Sequence, residues 1–209
     1  MEPIQYNLPF QNSSGWIFDL ENLSVYMFGC INSENAALFC HFIDTILTHN
    51  AHLMTTHYYD SARATLNRNP SVLELKILIN SDGGDMDAAM SIYKKITTIP
   101  MRTIGVVEGR ACSAASVILC ACSERIGHRY STIMIHDLSI NILDATSTQV
   151  SNFSQYFDIL RMQIAEIYNK ITKKPIKDIL KDLASNTDMY LTVDDAQAYG
   201  KNGFYTSII

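Results

Sequence analysis

The chain has few charged residues and lacks several patterns that mark common classes of protein. Asp, Glu, Lys and Arg make up only 18% of its 209 residues, below the roughly 25% of an average globular protein. The formal net charge is −5, and no basic stripe occurs in the sequence. A nucleic acid is therefore not expected as the main ligand, because phosphate binding depends on clustered Lys and Arg. The low charge also indicates that part of the surface is buried in an assembly.

Sequence features of membrane insertion and secretion are missing as well. No run of 18 or more apolar residues is present, so we expect no membrane-spanning helix and no membrane partner. The first 16 residues have neither the basic segment nor the apolar segment of a secretory signal. A cytoplasmic location is therefore expected, with an organellar or phage origin left open.

Metal and nucleotide motifs are also lacking. Neither GxxxxGK[ST] nor GxGxxG occurs, which disfavours a nucleotide ligand. The cysteines form no CxxC pair and have no zinc-ligand spacing, so we expect no metal and no cofactor. The number of cysteines is odd, and we interpret them as reduced thiols of a protein core: Cys30, Cys40, Cys112, Cys120 and Cys122.

What is present is an alternation of short apolar runs with helical patterns. Three runs in the centre of the chain are typical of strands: Leu75–Asn80, Arg102–Val107 and Ser131–Ile135. Helices are predicted between them, at about 85–98 and from about 113 to 123. Such alternation predicts an α/β fold, in which βαβ units with right-handed crossovers build a largely parallel sheet.

We expect one domain over residues 23–209, because no linker or repeat divides it. Residues 1–22 are polar and irregular and are interpreted as an N-terminal arm. The first predicted strand of the domain is Leu23–Gly29, and a helix capped by Asn32 or Ser33 follows. The segment 50–70 continues that helix or forms an exposed excursion.

A long helix is predicted over about 147–173. Its apolar residues are spaced alternately three and four apart, as in the seam of a coiled coil: Val150, Phe153, Phe157, Leu160, Ile164, Ile167 and Ile171. A helix of this length reaches about 40 Å, so it projects as a handle onto another subunit or packs its stripe on its own sheet. A shorter helix at 175–184, another that begins at Thr192 and ends at Gly200, and a strand at 204–209 are predicted after it.

Candidate chemistry follows from three positions at strand ends, where open α/β sheets place their sites. Gly83 and Gly84 follow one strand and can present backbone N–H groups to an oxyanion. Ser113 opens a helix, where a serine is usually a cap but is also suited to act as a nucleophile beside the N–H of Ala114. His136 follows another strand, as a structural residue or as a general base.

The residues alone leave alternatives open. Cys112 is a rival nucleophile and His128 a rival base, and a Ser–Lys dyad with Lys94 or Lys95 is also compatible with the sequence. Spacing does not choose the carboxylate that would orient the histidine. Its candidates are Asp137, Asp144, Asp188, Asp194 and Asp195.

Four segments, in this order, resemble the ClpP family of Clp protease proteolytic subunits: ILINSDGGDMDAAMSIY, GRACSAAS, STIMIHD and TDMYLTVDDAQAYG. The resemblance extends from about Val25 to the end of the chain. It implies a crotonase-like α/β fold with a handle helix, and a serine endopeptidase that cleaves unfolded polypeptides without a cofactor. It also implies two stacked heptameric rings that enclose a chamber, supplied by an AAA+ unfoldase such as ClpX or ClpA. The site residues it implies are Ser113, His136 and Asp188 as the triad, with the N–H groups of Gly84 and Ala114 as oxyanion donors.

The sequence also departs from the family pattern. Asp82 stands where the family usually has proline, and Asp137 replaces the glutamine that precedes a proline and a Gly-rich strand. The family's axial loop and first helix have no clear counterpart in residues 1–22, and residues 50–70 resemble an insertion. Two other functions therefore remain as alternatives: a catalytically silent ring subunit, and a crotonase-like acyl-CoA enzyme.

Overall fold

The computed structural model describes residues 10–11, 15–49, 73–139, 146–185 and 187–209. Four predictions fall wholly or partly outside these residues. They are the course of the segment 50–70, the candidacy of Asp144, the loss of a Gly-rich strand after His136, of which only the first residues are described, and the arm over 1–22, of which residues 1–9 and 12–14 are outside.

The described residues form strands and helices in alternation. The strands are β1 (Phe10–Gln11), β2 (Ile17–Asp19), β3 (Ser24–Ile31), β4 (Glu74–Gly84), β5 (Arg102–Cys112), β6 (Glu124–Gly127), β7 (Thr132–Ile135), β8 (Met189–Thr192) and β9 (Ser207–Ile208). The helices are α1 (Ser33–His49), α2 (Met86–Thr98), α3 (Ala114–Leu119), α4 (Ser147–Thr172), α5 (Ile176–Leu183) and α6 (Val193–Ala198).

The strands make one sheet in the order β1-β2-β3-β4-β5-β6-β9. Pairing is parallel from β3 through β9, whereas β1 and β2 add to the β3 edge in antiparallel pairs. Strand β7 also pairs in parallel with the end of β5 and carries β8 antiparallel on its other side. The predicted α/β fold with a largely parallel sheet is therefore confirmed.

Strands β4 and β5 are longer than predicted and reach the candidate site. Strand β5 pairs with β6 through its first half and then with β7 through Arg110–Cys112. A register shift between Ile79 and Ser81 accompanies this change of partner. The Gly-containing ends of β4 and β5 are therefore parts of strands, since the end of β4 pairs with β3 and the end of β5 pairs with β7. Strands β6 and β8, each four residues long, were not predicted.

The prediction of an irregular arm over 1–22 is wrong for part of that segment. Strands β1 and β2 lie there, and Phe18 of β2 pairs with Val25 of β3. Trp16 is fully buried and Phe18 is 6% exposed. Burial of these two aromatic rings stabilises the packing of this segment beside β3, because each ring removes a large apolar area from water.

Helix α4 confirms the predicted long helix, but its apolar stripe does not face one environment. Leu160, Ile164 and Ile167 are buried in the core of the subunit. Val150 and Phe153, two turns or more earlier, are 50% and 37% exposed. The second half of the helix therefore packs on its own domain, whereas the first half projects from it.

Candidate active site

Ser113 lies at a sharp turn between β5 and α3. Its backbone has φ 53° and ψ −121°, a region that residues other than glycine rarely adopt and that costs about 1–3 kcal/mol. The Ser113 N–H donates to the Met134 carbonyl of β7 at 2.7 Å and holds the turn in place. A serine at the start of a helix usually caps it, but the Ser113 hydroxyl makes no helix-capping hydrogen bond.

The histidine reaches this serine because of the strand pairing. Cys112 of β5 is opposite Met134 of β7, so the residues that follow the two strands emerge side by side. His136 Nε2 lies 2.8 Å from Ser113 Oγ. The structure thus brings together the two side chains that the strand-end pattern singled out.

Asp188 lies on the other side of His136. Ile135 of β7 pairs with Met189 of β8, which places the residue before β8 beside the residue after β7. Asp188 Oδ1 is 3.6 Å from His136 Nδ1, and the two side chains are 48% and 26% exposed. The three side chains form a row in the order serine, histidine and carboxylate.

Asp137 points to a different partner. Its two carboxylate oxygens accept hydrogen bonds from Nε and Nη2 of Arg161 in α4, at 2.8 and 2.9 Å. These hydrogen bonds raise the pKa of Arg161. The fork geometry of this pair occupies the carboxylate, as expected from the alternation of side chains along an extended chain. Sequence reasoning did not identify Arg161, because nothing in its helical position indicates the contact.

The two glycines of β4 make close contacts, Gly83 with the turn that carries Ser113 and Gly84 with strand β3. Gly83 has φ +95°, and a Cβ atom there would lie 2.6 Å from the Cys112 carbonyl oxygen and 3.1 Å from the Ala114 nitrogen. Gly84 has φ +145°, and a Cβ atom there would collide with the carbonyl oxygen of Ile31. Only glycine fits at either position, and the backbone at Gly83 lies directly against the turn that carries Ser113.

A groove of about 580 Å³ runs over these residues. Gly84, Ser113 and His136 line it, and Leu138 and Ser139 form part of one wall. Most of its other side chains are apolar residues of β7 and α4 or carboxylates next to the Gly-Gly segment: Met134, Phe153, Tyr156, Phe157, Leu160, Asp82, Asp85, Met86 and Asp87. The groove is large enough for a stretch of extended peptide, and Ser113 is part of its lining.

Cys112 and His128, the alternative nucleophile and base, lie in environments that do not suit those roles. Cys112 is 2% exposed, and burial raises the pKa of its thiol, which disfavours the reactive thiolate. His128 lies 3.4 Å from Glu108 rather than beside Ser113.

Lys94, Lys95 and Asp195 also have other surroundings. Lys95 forms an ion pair with Asp44, and Lys94 lines a separate groove between α2 and α4. Asp195 belongs to the capping box with Thr192, which confirms the predicted start of α6. In the described part of the chain, no group of three or more His, Cys, Asp or Glu residues is arranged to hold a metal. Within the same residues, no helix is long and apolar enough to cross a membrane.

An α/β sheet that presents a serine, a histidine and a carboxylate in a row has the arrangement of a serine hydrolase site. Comparison with known proteins then gives the family. The family model described as Clp protease matches residues 52–201. The chain therefore belongs to the Clp protease family, as a member of the ClpP type.

Individual relatives agree with this assignment. The chain is 30% identical over 129 residues to the ATP-dependent Clp protease proteolytic subunit 3 of Rhodococcus jostii, a match that covers 61% of this chain and 62% of that protein. It is 27% identical over 199 residues to the corresponding subunit of Oltmannsiellopsis viridis, covering 94% and 92%. A solved structure of a ClpP1 point mutant from Listeria monocytogenes has the same fold, with a TM-score of 0.71 at 21% identity over 91% and 92% of the two chains.

Proposed function

We propose that this protein is a serine endopeptidase in which Ser113 is the nucleophile. The observation that carries the proposal is the 2.8 Å separation of Ser113 Oγ and His136 Nε2. The hydroxyl makes no capping bond, and the residue is held in a strained backbone conformation, a feature that clusters at active sites.

The reaction follows the general scheme of serine acyl transfer. His136 takes the proton of the Ser113 hydroxyl as Oγ attacks the scissile carbonyl carbon. The resulting tetrahedral oxyanion accepts hydrogen bonds from the backbone N–H groups of Gly84 and Ala114. The C–N bond then breaks, and the imidazolium gives its proton to the leaving amine. Water, activated by His136, attacks the acyl-enzyme and releases the carboxylic acid and free Ser113.

Asp188 orients the imidazole and stabilises the imidazolium in this scheme. Its 3.6 Å distance from Nδ1 exceeds a hydrogen bond, and a displacement of about 0.5 Å would bring the atoms into range. Catalytic hydrogen bonds are often long before substrate binds. Asp137 is excluded from this role by its two hydrogen bonds to Arg161.

The substrate class that fits the groove is unfolded polypeptide. An extended chain fits a groove that is lined largely by apolar side chains and has Ser113 in its lining. We further propose that the subunit forms a homo-oligomer, with stacked rings that enclose a chamber. The exposed apolar residues of the first half of α4 support this assembly, because such patches usually mark interfaces: Val150, Phe153, Tyr156 and Ile159.

An AAA+ unfoldase is the partner that such a chamber would need. The names of the Rhodococcus and Oltmannsiellopsis relatives describe them as ATP-dependent, and this chain has no nucleotide motif of its own. The energy source would therefore reside on a separate subunit.

The experiment that tests the proposed function compares two single substitutions. Ser113→Ala should lower kcat/KM for short fluorogenic peptides by several orders of magnitude while the assembly, measured by sedimentation, is unchanged. Cys112→Ala is the matched control at the adjacent position and should keep most of the activity. Full activity of Ser113→Ala would refute the proposal, and loss in Cys112→Ala alone would assign the nucleophile to the thiol.

The same assay separates the two alternatives. A silent ring subunit would assemble but would cleave no peptide even as the wild type. A crotonase-like enzyme would turn over an acyl-CoA thioester without requiring Ser113, since that chemistry needs the oxyanion donors but no serine nucleophile.

A further inference from the structure

The carbonyl group of Ser113 is held by two hydrogen bonds from Ser116 of helix α3. The Ser116 N–H donates to the Ser113 oxygen at 3.0 Å, and the Ser116 hydroxyl donates to the same oxygen at 2.6 Å. Ser116 is fully buried, so water does not compete for these bonds. Helix α3 therefore holds the strained turn at Ser113 in place through these two hydrogen bonds.

A third group extends this chain of hydrogen bonds to helix α4. The hydroxyl of Tyr168 lies 2.6 Å from Ser116 Oγ. The single hydroxyl proton of Ser116 is used by the Ser113 carbonyl, so Tyr168 must donate to Ser116. Burial raises the pKa of Tyr168 well above its usual range, which keeps the phenol protonated and able to donate at every working pH.

The carbonyl of Ser113 and the N–H of Ala114 belong to one planar peptide unit. Because a trans peptide points its C=O and N–H in opposite directions, fixing the Ser113 carbonyl also fixes the direction of the Ala114 N–H. Hydrogen bonds to the carbonyl further polarise the unit and strengthen its N–H as a donor.

We propose that Tyr168 and Ser116 are positioning residues that aim the Ala114 N–H at the developing oxyanion. This inference rests on the proposed function, because it deepens the role given there to Ala114. Neither residue lines the groove over Ser113. Their effect should therefore fall on the transition state rather than on substrate binding, lowering kcat with KM unchanged.

The test uses the single variants Tyr168→Phe and Ser116→Ala together with their double variant. Each single variant should lower kcat about tenfold, the range expected when one hydrogen bond is lost from the chain that holds the Ser113 carbonyl. The rate at which a small fluorophosphonate modifies Ser113 should fall in parallel, because its phosphoryl oxygen occupies the position of the oxyanion.

Stability separates positioning from a merely structural role. Ser116→Ala leaves the buried Tyr168 hydroxyl without its acceptor and should lower the apparent Tm. The double variant removes both polar groups and should recover most of that loss, but its kcat should stay low. If kcat recovered together with Tm, the role would be structural and the inference would be overturned.

The chain offers a matched control remote from the site. Ser131 and Tyr205 form a second buried Ser–Tyr pair, with their oxygens 3.2 Å apart. Ser131→Ala/Tyr205→Phe should leave kcat unchanged. Unchanged kcat and labelling rate in all the Ser116 and Tyr168 variants would overturn this inference alone. Failure of the wild-type Ser113 to react with the fluorophosphonate would instead overturn the proposed function.

Discussion

The two sides of the candidate site are built in different ways. The nucleophile side consists of strand ends and a buried helix, and Gly83, Ser113 and Ser116 are tied together by close backbone packing and short hydrogen bonds. The acid–base side consists of His136 and Asp188, which are partly exposed and 3.6 Å apart. It faces the projecting first half of α4, whose residues are mostly exposed.

This difference indicates which side of the candidate site is determined by the fold of the single chain. The nucleophile turn is determined by the core of the domain, because buried hydrogen bonds and glycine contacts leave it one conformation. The side with His136 and Asp188 has fewer fixed contacts, so in the proposed assembly it is open to adjustment by a neighbouring subunit. We therefore expect substitutions of the core to act through the chemistry of Ser113, and substitutions of α4 to act through assembly.

The largest effect is expected from the carboxylate of the acid–base side. Asp188→Asn should lower kcat/KM by about 10³- to 10⁴-fold, because the amide no longer stabilises the imidazolium or its correct tautomer. Asp137→Asn should cost less than about tenfold, since that carboxylate binds Arg161 instead. Peptide hydrolysis measured for both variants tests the assignment, and a larger loss in Asp137→Asn would reverse it.

The second prediction tests the projecting half of α4. Val150→Glu/Ile159→Glu places charges at two apolar positions that are 50% and 56% exposed and do not line the groove. We expect the oligomer to dissociate into smaller species on sedimentation, while circular dichroism shows a folded subunit. Leu160 is unsuitable for this test because it is 5% exposed, and a charge there would disturb the domain itself.

The control for this experiment adds the same charges at exposed polar positions of the helix. Ser151→Glu/Gln155→Glu should leave the assembly intact, because no apolar contact is lost. A wild type that sediments as a 23.5 kDa monomer would contradict both the interface and the enclosed chamber.

The smallest effect concerns the thiol next to the nucleophile. Cys112 should react slowly with iodoacetamide at pH 8, because its raised pKa leaves little thiolate at that pH, and its rate should rise only at more alkaline pH. Cys30 is exposed and provides the internal comparison. Mass spectrometry of alkylated peptides over time gives both rates, and faster modification of Cys112 would mean that the nucleophile side is open.

Much of the fold and part of the site followed from local patterns in the sequence. Ser113 and His136 became candidates because parallel strands end at one edge, and the family resemblance chose them over Cys112 and His128. Helix α4 was predicted because its apolar period is regular over many turns. The prediction of Asp188 depended on the family resemblance, because the spacing of residues in the sequence does not show that β8 pairs with β7. Arg161 and Tyr168 were missed for the same reason: each acts across a distance of many residues, through contacts that only tertiary packing creates.

The central claim is that Ser113 is the reactive nucleophile of a serine peptidase. The measurement that tests it most directly is fluorophosphonate labelling of the wild type, followed by mass spectrometric mapping of the modified residue. We predict one label per chain on Ser113, and no label in His136→Ala, because the serine then lacks its base. Labelling of another residue, or no reaction of the assembled wild type, would contradict the account.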